Sequence, residues 1–154
     1  QTIVKKILIE KHAFPSDRYA AQSQLKFHGN HPDEDLLILN PEEGDIISIN
    51  DLIKCLDEHG DEIALVLFGG VNYYTGQAFD MEAITDRAQN HGCRVGFDLA
   101  HSAGNLKTNL HDWGVDFAVW CGYKYLNGGP GAPSSIFIHE RHLGKKNILI
   151  LEKI

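Results

Sequence analysis

The chain has 154 residues, of which 43% are hydrophobic and 23% charged, and its 14 basic and 21 acidic residues give a net charge of −7. This composition is typical of a globular domain and excludes disordered and fibrous chains. The acidic balance argues against nucleic-acid binding, which depends on clustered Lys and Arg. No apolar run approaches the ~18 residues of a membrane span. The three widely spaced cysteines argue against a disulfide framework and fit a reducing, cytoplasmic compartment.

Short aliphatic runs alternate with helix-forming stretches along the chain. Ser16 and Asp17 are N-cap residue types, as are Ser48 and Asp80 further on. In chain order, the sequence predicts a strand at 5–10, a helix at 18–26, a strand at 36–39, a helix from 48 or 50 to 60, a strand at 63–68, a helix from 81 to 92, and strands at 93–98, 116–121 and 135–138. This alternation predicts a three-layer α/β fold, with a mostly parallel sheet flanked by helices.

Polar residues follow several of the predicted strands, at the edge of the sheet where ligands bind in open α/β folds. They include Asp98, His101, Tyr123 and Lys124. A lysine in such a place can react with a carbonyl, and a carboxylate on a neighbouring strand can hold the pyridine nitrogen of pyridoxal phosphate (PLP). Phe14 is available to stack on that ring. Taken singly, an Asp after a strand also suits a helix cap, and a Lys in a glycine-rich loop also suits solvent.

Five motifs together resemble those of kynureninases, which are PLP-dependent hydrolases of tryptophan catabolism and NAD biosynthesis. They are Phe14-Pro-Ser-Asp17, Tyr74-Thr-Gly-Gln77, and the runs 95–101, 111–117 and 120–127. The resemblance implies the large domain of the PLP-dependent transferase fold. It also implies an enzyme that hydrolyses L-kynurenine or 3-hydroxykynurenine to anthranilate or 3-hydroxyanthranilate and L-alanine. Such an enzyme is expected to be a cytoplasmic homodimer without nucleic-acid or membrane partners.

The resemblance also implies a role for each matching residue. Lys124 matches the lysine that binds the cofactor covalently, and Asp98 matches the partner of the pyridine nitrogen. His101 matches a cofactor contact, Tyr123 a phosphate ligand near the proton transfers, and Phe14 the stacking residue.

A second carboxylate of the cofactor site is implied at Asp17, in a cofactor-binding motif that also includes Pro15 and Ser16. Gly69 and Gly122 stand where the family has serines, and the serine at Gly69 donates to the cofactor phosphate. Because a hydroxyl donor is lost at each place, weaker cofactor retention is expected.

The family's domain is expected to extend beyond both ends of this chain, and the only methionine, Met81, is internal. Residues 1–142 are therefore predicted to be part of the PLP-binding large domain, and 143–154 a divergent tail. That tail contains no Arg to match the one that binds the substrate carboxylate in the family. We expect the chain to be inactive on its own, either as a fragment or as a non-catalytic truncated form.

Three alternatives compete with this interpretation. Another PLP-dependent lyase, similar to cysteine desulfurases, would share the order of Asp, His and Lys. A metal site could use the pairs His28 and His31 or His139 and His142, but His-x-x-His alone is a weak pattern. A Rossmann nucleotide site lacks its G-x-G-x-x-G signature after a strand.

Overall fold

The computed structural model describes residues 4–144. Six strands form one sheet: β1 (Lys6–Glu10), β2 (Leu36–Leu39), β3 (Ile63–Gly69), β4 (Arg94–Asp98), β5 (Phe117–Cys121) and β6 (Ser134–Ile138). The α-helices are α1 (Pro15–Phe27), α2 (Pro32–Asp35), α3 (Ile49–His59) and α4 (Met81–Asn90), and short 3₁₀ turns cover Gly60–Glu62 and Glu140–His142. All the predicted strands and helices are present, with boundaries within a few residues of those predicted.

The strands lie in the order β2-β1-β3-β4-β5-β6. The first five are parallel, and β6 runs antiparallel to β5. The predicted fold class, a mostly parallel sheet between helices, is confirmed. Because the carboxyl ends of five strands meet at one edge, the residues that follow those strands are brought together there.

Helix α1 covers one face of the sheet. Its buried residues Ala21 and Leu25 pack against Ile7 and Ile9 of β1. The helix begins at Pro15, which needs no partner for its missing N–H at the first helical position. Ser16 and Asp17 therefore lie inside the first turn, and the prediction that they cap the helix is wrong: Phe14 occupies the N-cap position and its side chain makes no capping hydrogen bond.

Helices α3 and α4 cover the opposite face and enclose the larger part of the core. Ser48 caps α3 in a capping box, where its hydroxyl accepts from the Asp51 N–H and the Asp51 carboxylate accepts from the Ser48 N–H. Asp80 caps α4 by accepting from the N–H of Ala83. These caps satisfy N–H groups that have no partner within the helix, which fixes where both helices begin.

The sheet is less covered at its β5–β6 end. Val119 and Ile136 face each other on the α1 side and are 38% and 61% exposed. The buried residues of α1 pack on β1 and leave this pair partly exposed. Within residues 4–144, no helix is long and apolar enough to cross a membrane.

Candidate active site

Three strands place their carboxyl ends side by side at one edge of the sheet. Gly69 ends β3 and pairs in register with Asp98, which ends β4. Asp98 pairs in turn with Val119 of β5, and Lys124 follows that strand after a short turn. The parallel register therefore brings together residues that are far apart in the sequence.

Lys124 and His101 are in direct contact. The Lys124 Nζ lies 3.2 Å from the His101 Nε2 and 5.7 Å from the centroid of the Phe14 ring. Burial and the positive charge of Lys124 lower the pKa of His101, so its ring is neutral near pH 7 and can accept a hydrogen bond from the lysine. The lysine thus has a defined position between an imidazole and an aromatic face.

Three carboxyl groups lie beside this lysine. The Asp98 Oδ1 accepts from the N–H of Ala100 at 2.8 Å, and Asp17 lines the same narrow space as Asp98. Burial, and then the charge of Asp98, raises the pKa of Asp17 to about 7. The third group, Glu10, is buried at the end of β1 and its Oε1 accepts from the Gly69 N–H at 3.0 Å.

Tyr123 precedes the lysine and is more than half exposed. A hydrogen bond with Cys121 is the main cause that raises the pKa of its phenol. The phenol therefore keeps its proton at neutral pH and can act as a donor.

The predicted site residues do not all line the same space. An open cavity of about 220 Å³ lies at the sheet edge. Its lining includes Phe14, Ser16, Asp17, Asp98, Tyr123 and Lys124. Gly69 and His101 line a narrow space on the other side of the Asp98 and Lys124 side chains. Pro15 lines neither space, because it faces a separate cavity between α1 and β2.

Gly69 and Gly122 differ in the room they leave for a side chain. A Cβ atom at Gly69 would lie 3.1 Å from the Glu10 Oε1 and 3.2 Å from the Val71 carbonyl oxygen. At Gly122 it would lie 2.6 Å from the Pro133 carbonyl oxygen, which is backbone and has little freedom to move. A serine at Gly69 would therefore need only small shifts of its neighbours. A serine at Gly122 would collide with the backbone of the loop that contains Pro133.

Sequence reasoning missed Glu10, Asn72 and Tyr73, which lie in the same narrow space as His101. Glu10 ends a strand with a carboxylate, as Asp98 does, so the signal that selected Asp98 was available at this position as well. No comparable pattern marks Asn72 or Tyr73, which follow the glycine pair after β3.

Asn72 connects two loops at the site. Its side-chain amide donates to the carbonyl oxygens of Lys11 and His12 at 3.3 and 3.2 Å. Its Oδ1 accepts from the N–H groups of Tyr74 and Thr75 at 3.0 and 3.1 Å. Buried at 3% exposure, this amide holds the loop that leads to Phe14 against the turn after β3.

The two His-x-x-His pairs are used differently. His142 contacts the buried carboxylate of Asp116 at 2.7 Å, and His139 stacks on His111. His28 packs its ring edge against Phe27 at the end of α1. Across residues 4–144 there is no group of three or more His, Cys, Asp or Glu side chains that could hold a metal ion.

Comparison with known proteins shows the family to which the chain belongs. Residues 6–145 match the aminotransferase class-V family. The chain belongs to the aminotransferase class-V family. The chain is 57% identical to a kynureninase of Nematostella vectensis over 138 residues, an alignment that covers 89% of this chain. It is 56% identical to a kynureninase of Myxococcus xanthus over 144 residues, which is 93% of this chain. The predicted resemblance to kynureninases is confirmed.

The chain spans about a third of the length of these relatives, 30% and 34% respectively. Solved structures of other class-V-like proteins share the fold at lower identity. A C-DES variant with glycine covalently linked to its PLP cofactor has a TM-score of 0.77 at 21% identity, over 94% of this chain and 37% of its own. The apo cysteine desulfurase of Thermococcus onnurineus has a TM-score of 0.75 at 21% identity, over 92% of this chain and 33% of its own.

Proposed function

We propose that the full-length protein containing this chain is a PLP-dependent kynureninase. It would hydrolyse L-kynurenine or 3-hydroxykynurenine to anthranilate or 3-hydroxyanthranilate and L-alanine. The observation that carries the proposal is the meeting of Asp98, Lys124 and Phe14 at one cavity, in a chain more than 50% identical to kynureninases. The identity to cysteine desulfurase is much lower, which favours kynurenine cleavage over the desulfurase-like alternative.

The residues present fit PLP by their chemistry. The side chains that line the cavity include an amine, a carboxylate, an aromatic ring and hydroxyl donors. A phosphorylated pyridine aldehyde such as PLP requires these groups for its binding. Lys124 would hold the aldehyde carbon, Asp98 the ring nitrogen and Phe14 the ring face. Tyr123 would hold the phosphate, whereas the N–H of Gly69, the other residue predicted to contact it, donates to the Glu10 Oε1.

When bound, PLP draws electrons from the α-carbon of an amino acid. The chain's own residues supply orientation and proton transfer. His101 is neutral near pH 7 and accepts a hydrogen bond from the Lys124 amine, which keeps that nitrogen directed at the cavity. Tyr123 keeps its phenolic proton and can donate a hydrogen bond into the cavity that it lines. Phe14 forms an aromatic wall of the cavity.

The proposal extends to features of the whole protein. It assigns residues 1–142 to the PLP-binding large domain and 143–154 to a divergent tail, most of which lies outside the described residues. It gives the protein a small-molecule substrate, a homodimeric assembly and a cytoplasmic location. The roles predicted for Pro15, Ser16 and Asp17 in cofactor binding remain part of the proposal.

The test is to follow PLP binding and kynurenine hydrolysis by the full-length protein and by its Lys124→Ala variant. We expect the wild type to show the visible absorbance of lysine-bound PLP and to release anthranilate and alanine. The variant should lose that absorbance and roughly a thousandfold or more of the rate, because the covalent attachment point is gone. The exposed Lys26 at the end of α1 provides the control, Lys26→Ala, which should behave as the wild type. Unchanged hydrolysis by Lys124→Ala, or a wild type that cleaves cysteine and not kynurenine, would contradict the proposal.

A further inference from the structure

Glu10 is a buried acid at the site to which the proposed function gives no role. It ends β1, the strand between β2 and β3, and is 3% exposed. Its Oε1 accepts from the Gly69 N–H at 3.0 Å. This donor fixes the position of the carboxyl group, and the same space is lined by Asp17, Asn72, Asp98 and Lys124.

Within residues 4–144, none of the three carboxyl groups at Glu10, Asp17 and Asp98 forms an ion pair with Lys, Arg or His. The nearby Lys124 amine contacts His101 instead. Three carboxyl groups that share a partly buried space without a paired cation repel one another when all are ionised. Ionisation of all three groups is therefore disfavoured, and a further cation that enters the space would favour it.

The groups around Glu10 come from every element packed against it. Those in the narrow space at the site are Asp17, Asp98, His101 and Lys124. Those on the other side of β1, in the cavity next to α1, are His12, Arg18, Tyr19 and Tyr73. Burial, opposed by hydrogen bonds from the backbone at Gly69, raises the pKa of Glu10 to about 7, and the charge of Asp98 adds to the increase.

We propose that Glu10 is a third acid of this site, a positioning residue that carries a proton while the pocket is free and releases it to solvent when a cationic ring nitrogen binds at Asp98. The inference rests on the proposed function, because it takes the cation to be the protonated pyridine of PLP. Ionised Glu10 adds to the negative field at Asp98 and so stabilises the proton on the ring nitrogen. Through Gly69 it also holds the backbone at the end of β3 in place.

The test measures protons released on PLP binding by calorimetry of the full-length apo protein, in buffers of different ionisation enthalpy at pH 7. Glu10→Gln keeps the shape and the acceptor for the Gly69 N–H but cannot ionise. We expect the wild type to release about half a proton more than Glu10→Gln, since a group with a pKa of about 7 is half protonated there. The advantage in PLP affinity of the wild type over the variant should grow as the pH rises toward 7 and level off above it, because Glu10 is then ionised before PLP binds. The exposed Glu43 gives the control, Glu43→Gln, which should match the wild type.

A second measurement does not depend on how well the variant folds. Infrared difference spectra of the wild type should show a protonated carboxylic acid carbonyl that is lost when PLP binds, and Asp17→Asn should retain part of that signal. Equal proton release by wild type and Glu10→Gln, or no loss of an acid carbonyl, would overturn the inference while PLP still binds. A protein that does not bind PLP at all would instead refute the proposed function.

Discussion

Gly69 and Gly122 show how two similar replacements have different structural consequences. The resemblance to kynureninases implies a serine at both positions, and at Gly69 a serine that would donate to the cofactor phosphate. At Gly69 one of the two closest atoms is a carboxylate oxygen at the end of a side chain, whereas at Gly122 the closest atom belongs to the backbone. The loop around Pro133 has therefore settled into space that a side chain at position 122 would occupy.

We expect Gly69→Ser to fold with little loss of stability and to retain PLP longer on gel filtration, because it adds a hydroxyl donor. Gly122→Ser should lower the free energy of unfolding by about 1–3 kcal/mol, since a Cβ atom 2.6 Å from the Pro133 carbonyl oxygen forces the loop to move. Thermal unfolding of the two variants side by side gives the comparison. Equal losses in both would show that the contacts at Gly122 do not limit the fold.

Glu10 shows the limit of prediction at the level of single residues. Its position at the end of a strand is visible in the sequence, but its partner Gly69 lies 59 residues away. Which strand lies beside β1 depends on the order of the whole sheet, and no local pattern contains that order. Asp98 and Lys124 are marked both by their positions after predicted strands and by the family motifs, whereas Glu10 lies outside the motifs.

At the scale of elements, the sequence predicted every strand because each is a short aliphatic run bounded by polar or glycine residues. It did not predict α2, a single turn over Pro32–Asp35, because four residues are too few to show helical periodicity. The predicted start of α1 at residue 18 is three residues too late, because the helix begins at a proline. The structure places Pro15 at the first position of the helix, with Phe14 before it.

The loop after β1 and the turn after β3 form a unit joined by Asn72. We expect Asn72→Ala to lower the free energy of unfolding by about 1–3 kcal/mol, because it leaves buried carbonyl and N–H groups without partners. PLP affinity should fall as well, since the same loop leads to Phe14. The exposed Asn40, whose amide bonds only the nearby Ile38 carbonyl oxygen, provides the control Asn40→Ala. Urea unfolding and PLP titration measure the two effects, and a loss of stability with unchanged affinity would separate Asn72 from the site.

At the scale of the whole molecule, a buried ion-pair cluster fixes the amino end of β5 far from the site. Asp116 is fully buried, and its carboxylate contacts Arg141 at 2.8 Å, His142 at 2.7 Å and Arg94 at 3.4 Å. Burial alone would raise the pKa of Asp116, but the hydrogen bond from Arg141 and that from the Val95 N–H lower it overall. The cluster joins β4, β5 and the turn after β6.

A lowered folded-state pKa means that the contribution of Asp116 to stability is fully present above its unfolded value of about 3.9 and is lost as the pH falls through the folded value. Asp116→Asn should cost about 1–3 kcal/mol at neutral pH, because it removes the buried negative charge that contacts His142 and the partly exposed Arg94 and Arg141. Its stability should then depend less on pH in the acid range than that of the wild type. Asp112→Asn changes an exposed carboxylate nearby and should leave both unchanged. Urea unfolding at a series of pH values measures the free energy of unfolding of each protein. If this free energy changed with pH equally in Asp116→Asn and in the wild type, the stabilising role of the ionised Asp116 would be contradicted.

The position of β1 between β2 and β3 has a consequence during synthesis. Lys6 pairs with Ile63, so the first strand has no partner on that side until a much later part of the chain has been made. Phe14 leaves the ribosome 124 − 14 = 110 residues before Lys124, which at about 5–20 residues per second is a delay of roughly 5–20 s. During that interval β1 and Phe14 are exposed to solvent. We therefore expect the nascent chain to need chaperone protection until Lys124 has been synthesised.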